Sequence, residues 1–196
     1  MTTKPSKRPW VLKKAVLVYS PEFDVSCLTR LRVAHDKSAN YGSISLRITA
    51  DLANPTGRSQ VLTLNIPPGI VATCLIDRVS NDGLCPSGLV SMLPAAVTDV
   101  SAVSTLSLGL NSTGTVLCPA AALEPPSPAN PGDLDFHAFA RICQSKSLRL
   151  HFSGRQFVNQ ELDQLEAFSD ALGKRSFRQN LFTTLAMVWS RKIGVP

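Results

Sequence analysis

His137, Cys143 and His151 come nearer to a metal-binding set than any other side chains in this sequence. Structural zinc draws its ligands from close pairs, roughly two to five residues apart, so that one turn can aim both at a single ion. Here the gaps are six and eight residues, and the apolar pattern changes from helical to strand-like between them. The simpler reading is a histidine on a helix surface, a buried thiol and a histidine on the polar face of a strand. No metal and no cofactor are expected. Cys85, in Leu84-Cys85-Pro86-Ser87-Gly88, is the candidate nucleophile. A cysteine attacks as its thiolate, and it needs a cation, a helix N-terminus or a base to lower its pKa. No cation flanks Cys85, so His35, His137 or His151 would have to approach it through the fold. A structural thiol is preferred, and an enzyme built from Cys85 plus a histidine stands as an alternative.

Other catalytic patterns are missing from the sequence. There is no G-x-S-x-G elbow and no S-x-x-K. Neither phosphate-cradling glycine loop, G-x-x-x-x-G-K-[ST] or G-x-G-x-x-G, occurs. The carboxylate groupings Asp133/Asp135 and Glu161/Asp163/Glu166 read as helix-start and solvated-face charges rather than as an acid–base pair. A basic cluster is more suggestive. Arg141, Lys146, Arg149, His151 and Arg155 fall within fifteen residues. Such a cluster can hold phosphates by charge alone, or dock on an acidic protein surface.

These groups must be positioned by a chain of 196 residues, 44% hydrophobic and carrying a net charge of +6. That composition suits a packed core. The charge is uneven: residues 1–50 carry +6, residues 51–132 carry −3 and residues 133–196 carry +3. Basic ends around a mildly acidic middle suggest an anionic partner or solvated termini. No apolar run approaches the roughly 20 residues that span a bilayer, and no apolar stretch of a secretory signal follows Lys4, Lys7, Arg8, Lys13 and Lys14. Five cysteines (Cys27, Cys74, Cys85, Cys118, Cys143) without a C-x-x-C suit reduced thiols in the cytoplasm or nucleus. On that reading Asn111-Ser112-Thr113 is a turn rather than a glycan acceptor.

The period of the apolar residues changes across Glu124 to Gly132, which holds four prolines in nine residues. Before it, alternation predicts strands. Trp10 to Tyr19 starts the ordered part after a basic arm at 1–9. Leu28, Leu31 and Val33 read ambiguously: Leu28-Thr29-Arg30-Leu31 can form a short helical turn leading into a strand at Arg32 to His35. Ile44, Leu46 and Ile48 against Leu62, Leu64 and Ile66 read as an antiparallel hairpin. Ile70 to Ile76 reads as a strand buried on both faces. Ala102 to Leu110 turns at Asn111 to Gly114 into a short returning strand at Thr115 to Cys118. Prolines remove backbone donors, so ladder pairing is not expected at 124–132.

After the joint, spacings of three and four predict helices. Asp133 or Asp135 can cap the first, which buries Phe136, Phe139, Ile142 and Cys143. Leu148, Leu150 and Phe152 alternate and return to the sheet. Asn159 can cap a helix lined by Leu162, Leu165, Phe168, Ala171 and Leu172. A last helix carries Phe177, Leu181, Leu185, Val188 and Trp189, a face that could meet a partner.

The expected fold is α+β: an antiparallel β-sandwich or open barrel at 10–123, a connector at 124–132, and two to three C-terminal helices packed on that body. The expected function is non-catalytic binding or scaffolding, with a protein partner or a second copy of the chain and no membrane. Nucleic-acid association through the basic segments is the alternative.

Overall fold

The computed structural model of the protein describes residues 9–38, 41–53, 59–118 and 126–173. Residues 1–8 of the expected basic arm, the last helix with Phe177, Leu181, Leu185 and Trp189, and Glu124-Pro125 of the connector lie outside these residues. The chain forms an α+β fold dominated by one antiparallel sheet of eight strands. The strands are β1 (Trp10–Ser20), β2 (Val25–Asp36), β3 (Tyr41–Asp51), β4 (Ser59–Ile66), β5 (Val71–Asp77), β6 (Val103–Leu110), β7 (Thr115–Leu117) and β8 (Ser147–Ser153). Their order across the sheet is β5-β6-β8-β1-β2-β3-β4-β7. A single turn, α1 (Ser87–Val90), precedes two longer helices, α2 (Leu134–Gln144) and α3 (Glu161–Gly173).

Short connections force the sheet to curl. β4 lies next to one edge and β5 is the other edge, yet only Pro67–Ile70 joins them. Four residues reach at most roughly 14 Å, so the two margins must approach each other as an open half-barrel. The link from β6 to β7 is equally short, Asn111 to Gly114. Gly114 explains how this link fits: a Cβ there would lie 2.7 Å from Leu64 Cδ1 and 2.8 Å from the Asn65 carbonyl oxygen. Only glycine lets the chain pass so close to β4.

Alternating apolar residues fill the inside of the curl. Leu12, Val16, Leu31, Val33, Leu46 and Leu150 are each at most 1% exposed. Two helices close the interior. α2 begins at Asp133, whose carboxylate accepts from the Phe136 N–H at 3.0 Å, and it buries Phe136, Phe139, Ile142 and Cys143. α3 packs on β5 and buries Leu165, Phe168 and Leu172. The Phe168 ring meets His35 of β2 edge-on, with centroids 5.4 Å apart. Each such aromatic burial is worth about 1.5–3 kcal/mol.

A weak seam runs between β1 and β8, which pair only from Leu17–His151 to Tyr19–Arg149. Where they part, Lys14 fills the gap. Its Nζ donates to the Gln156 carbonyl at 2.6 Å and lies 2.7 Å from the Glu161 carboxylate. Gln156 in turn donates to the Ala15 carbonyl at 3.0 Å. Arg78 holds the other exposed side of α3 through Asp163 and Glu166. The expected solvated-face acids of this helix are thus anchors to the sheet.

Four expectations need correction. Residues 28–31 are strand, not helix: β2 runs unbroken with Leu31 inward and Leu28 outward, 50% exposed. β5 is an edge strand with Leu75 65% exposed, not a strand buried on both faces. β7 pairs with β4 at the far margin, not with β6. The connector does pair: Leu52 and Pro128 form an isolated bridge, with Ala53 N–H donating to the Ser127 carbonyl at 2.9 Å and Ala129 N–H to that of Asp51 at 2.8 Å. Proline only removes its own donor, and the residues between the prolines still bond. The β3–β4 hairpin, the return of 147–153 into the sheet and the apolar stripes of α2 and α3 follow the sequence pattern. Among the described residues no helix is long and apolar enough to cross a membrane.

Candidate anionic-partner interface

In a strand, residues that alternate with the core face outward. On β1, β2 and β3 those outward positions include Lys13, Arg30, Arg32 and Arg47. Register brings them together. Lys13 lies directly opposite Arg32, and Arg30 directly opposite Arg47. Opposed residues have Cβ atoms roughly 4.5–5.5 Å apart, and positions two apart along a strand are separated by about 6.6 Å. The four cations therefore form a staggered cluster across three strands, with Lys13 and Arg32 in one row and Arg30 and Arg47 in the next. Lys13, Arg30 and Arg47 are exposed and Arg32 is half-buried.

Among the described residues, none of the four has an ion-pair partner. The acids on this face of the same strands, Asp36 and Asp51, sit at strand ends four residues from Arg32 and Arg47, or about 13 Å along the strand. Each accepts from a nearby serine hydroxyl, Ser38 and Ser59 respectively. Neutral polar residues continue the rows: Ser45 opposite Arg32 and Asn65, and Thr63 opposite Arg47. A shallow hollow of about 270 Å³ is walled by Lys13, Lys14, Arg30, Arg32 and Arg47. A second, of about 360 Å³, shares Arg30 and Arg47 and is bounded by Leu28, Thr49, Val61 and Asp135.

The basic cluster expected at 141–155 is distributed differently. Arg149 and His151 both point outward from β8, but the segment between β5 and β6 covers them. Arg149 donates to the carbonyls of Gly83 at 2.6 Å and Leu84 at 2.9 Å. His151 is fully buried, and its Nδ1 shares a 2.8 Å hydrogen bond with Thr105. Its Nε2 is also buried and meets no hydrogen-bonding partner among the described residues. Burial, reinforced by Arg149, lowers the His151 pKa to about 4. Arg141 is exposed on α2, its guanidinium 5.8 Å from the Phe23 ring centroid. Lys146 is exposed just before β8 and Arg155 just after it. A seven-residue strand separates those two, which puts them roughly 20 Å or more apart.

The thiol and histidine candidates also separate. Cys85 is buried against Leu17, Leu93 and Val103 under the same covering segment. Burial and Asp82 push its pKa up, against a smaller opposing effect of Arg149; a nucleophile needs the reverse. His137 lies on the surface, with Nε2 2.7 Å from the Pro131 carbonyl oxygen. His35 is buried, and desolvation lowers its pKa. Among the described residues no group of three or more His, Cys, Asp or Glu side chains is placed to hold a metal ion.

Lys13, Arg30, Arg32 and Arg47 were not singled out from the sequence. The signal was there in part: Arg30 and Arg32 alternate with Leu31 and Val33, and residues 1–50 hold an excess charge of +6. Reading residues 28–31 as helical hid that alternation. No protein-family model, no curated protein and no solved structure matches the chain.

Proposed function

We propose that this chain is a non-catalytic binding protein that docks a polyanionic partner on the outer face of β1, β2 and β3. The observation that carries this reading is the staggered cluster of Lys13, Arg30, Arg32 and Arg47, none of which forms an ion pair among the described residues. Like charges directly opposite each other destabilise a sheet, by roughly 0.2–1 kcal/mol per pair. Two such pairs on central strands are a standing cost to the free protein, and a bound polyanion turns that cost into attraction. The five cysteines, all free thiols, suit a cytoplasmic or nuclear setting. The raised thiol of Cys85 and the enclosed, hydrogen-bonded His151 favour binding over the thiol-enzyme alternative.

Retention on immobilised heparin tests the reading. Wild type is expected to bind at low salt and elute as salt rises. The reversal Arg30→Glu/Arg47→Glu is expected to flow through, and Lys146→Glu/Arg155→Glu to behave nearly as wild type. Flow-through of wild type at low salt, or equal retention of the Arg30/Arg47 variant, would overturn it.

A further inference from the structure

We infer that the polyanion is the sugar–phosphate backbone of a single-stranded nucleic acid, held without reading its bases. This rests on the basic-face reading above and deepens it. The chain cannot supply the occupant itself: outside the described residues its only acid is Glu124, whereas Lys4, Lys7, Arg8, Arg58, Lys174, Arg175, Arg178, Arg191 and Lys192 are all cationic. A second copy brings the same net +6, with only its middle segment acidic, and so matches the face less well than a molecule anionic throughout. The occupant is a different, anionic molecule.

The chemistry of the face narrows its class. Three of the four cations are arginines, whose planar forks match phosphate oxygens two at a time. The same rows continue into Ser45, Thr63 and Asn65, neutral donors that bond phosphodiester or sugar oxygens. Protein partners are anchored by aromatic or aliphatic side chains in a central pocket. Here the exposed apolar residues on this face, Val11, Leu28 and Val61, lie apart at its margins, and the centre is cationic. The face is the outside of a curled sheet, so it offers only its crest to a planar lipid surface, while a flexible strand can follow it. The four outward cations have no aromatic among their directly opposed neighbours, so bases have no stacking platform there and their identity is not sensed.

Fluorescence anisotropy on the full chain tests this with labelled oligo-dT and oligo-dA, a duplex, a poly-glutamate peptide and phosphatidylserine vesicles as competitors. The two single strands are expected to bind within about threefold of each other, since stacking and base edges contribute little. Four phosphate contacts at about 0.7 each give a slope of log K against log salt near −3, or roughly a fiftyfold loss between about 50 and 200 mM salt. Arg30→Gln or Arg32→Gln should each reduce the slope by about 0.7. Binding to heparin without binding to oligonucleotides would overturn this inference and leave the polyanion reading standing. So would stronger binding to duplex, poly-glutamate or vesicles, or a marked preference for one base. Oligonucleotide binding unchanged in both arginine variants would place contact elsewhere and overturn it too. No binding to any polyanion would overturn both.

Discussion

Arg149 and Arg30 are both arginines at outward positions of central strands, yet the fold treats them in opposite ways. Over β6 and β8 the chain lays down the segment between Asp77 and Val103, with Leu17, Cys85, Leu93 and Val103 packed beneath it. There Arg149 spends its donors on the carbonyls of Gly83 and Leu84. Ser80 and Thr105 share a hydrogen bond on the same covered side, and Thr105 passes the chain on to His151. Over the outer face of β1, β2 and β3 no described segment is laid down, and Lys13 faces Arg32 and Arg30 faces Arg47 across the ladder. The difference teaches that a cationic residue type does not identify a binding face. What covers the residue, and which acceptors reach it, decides whether its charge is structural or available.

If one half is a core and the other a surface, truncation should separate them. Leu17→Ala, under the covering segment, is expected to cost about 2–5 kcal/mol in urea unfolding, the range for a buried leucine that leaves a cavity. Lys13→Ala, only four residues earlier in the same strand, should stay within about 0.5 kcal/mol. Similar losses for the two would erase the contrast.

Acid should find the covered half next. His151 has a folded-state pKa of about 4, below its ordinary 6.5. The unfolded chain therefore binds the proton first. Stability is full above about pH 6.5, falls as pH drops through the interval, and stops falling from this cause below about 4. The whole effect is worth about 3 kcal/mol at 1.36 kcal/mol per pKa unit. Buried His35, also lowered, acts in the same direction. Urea midpoints measured across this interval should decline, and His151→Phe should flatten the decline. A profile identical in wild type and variant would show that His151 is not the cause.

The seam between the halves gives a smaller effect. Lys14 and Glu161 are only 14% and 25% exposed, so Glu161→Gln should cost about 1 kcal/mol, near the top of the range for surface pairs. Because Arg78 lies on the exposed side of α3, Arg78→Ala should cost less. The reverse order, read from thermal melts, would mean that the seam is not what fixes α3.

Much of the architecture was legible because local period and burial agree. Ile44, Leu46 and Ile48 against Leu62, Leu64 and Ile66 form the β3–β4 ladder, and Leu148–Phe152 enters the centre of the sheet. The misreadings have physical causes. Leu28 and Leu31 are spaced as on a helix, but only Leu31 is core, and strand pairing with β1 on one side and β3 on the other outweighs that local spacing. The partner of β7 is set by the close passage of Gly114 over β4, a non-local fit that no turn signal announces. The basic face was half legible. Alternation places Arg30 and Arg32 on one side, but only register across three strands brings Lys13 and Arg47 beside them.

The smallest expected change in stability tests the central claim most directly. Arg30→Gln/Arg47→Gln removes one opposed cationic pair without touching the core. The double variant should be as stable as wild type or slightly more stable, by up to about 1 kcal/mol, and should lose salt-sensitive retention on heparin. A variant that is clearly destabilised yet binds as tightly as wild type would contradict the account, because those arginines would then support the fold rather than meet a partner.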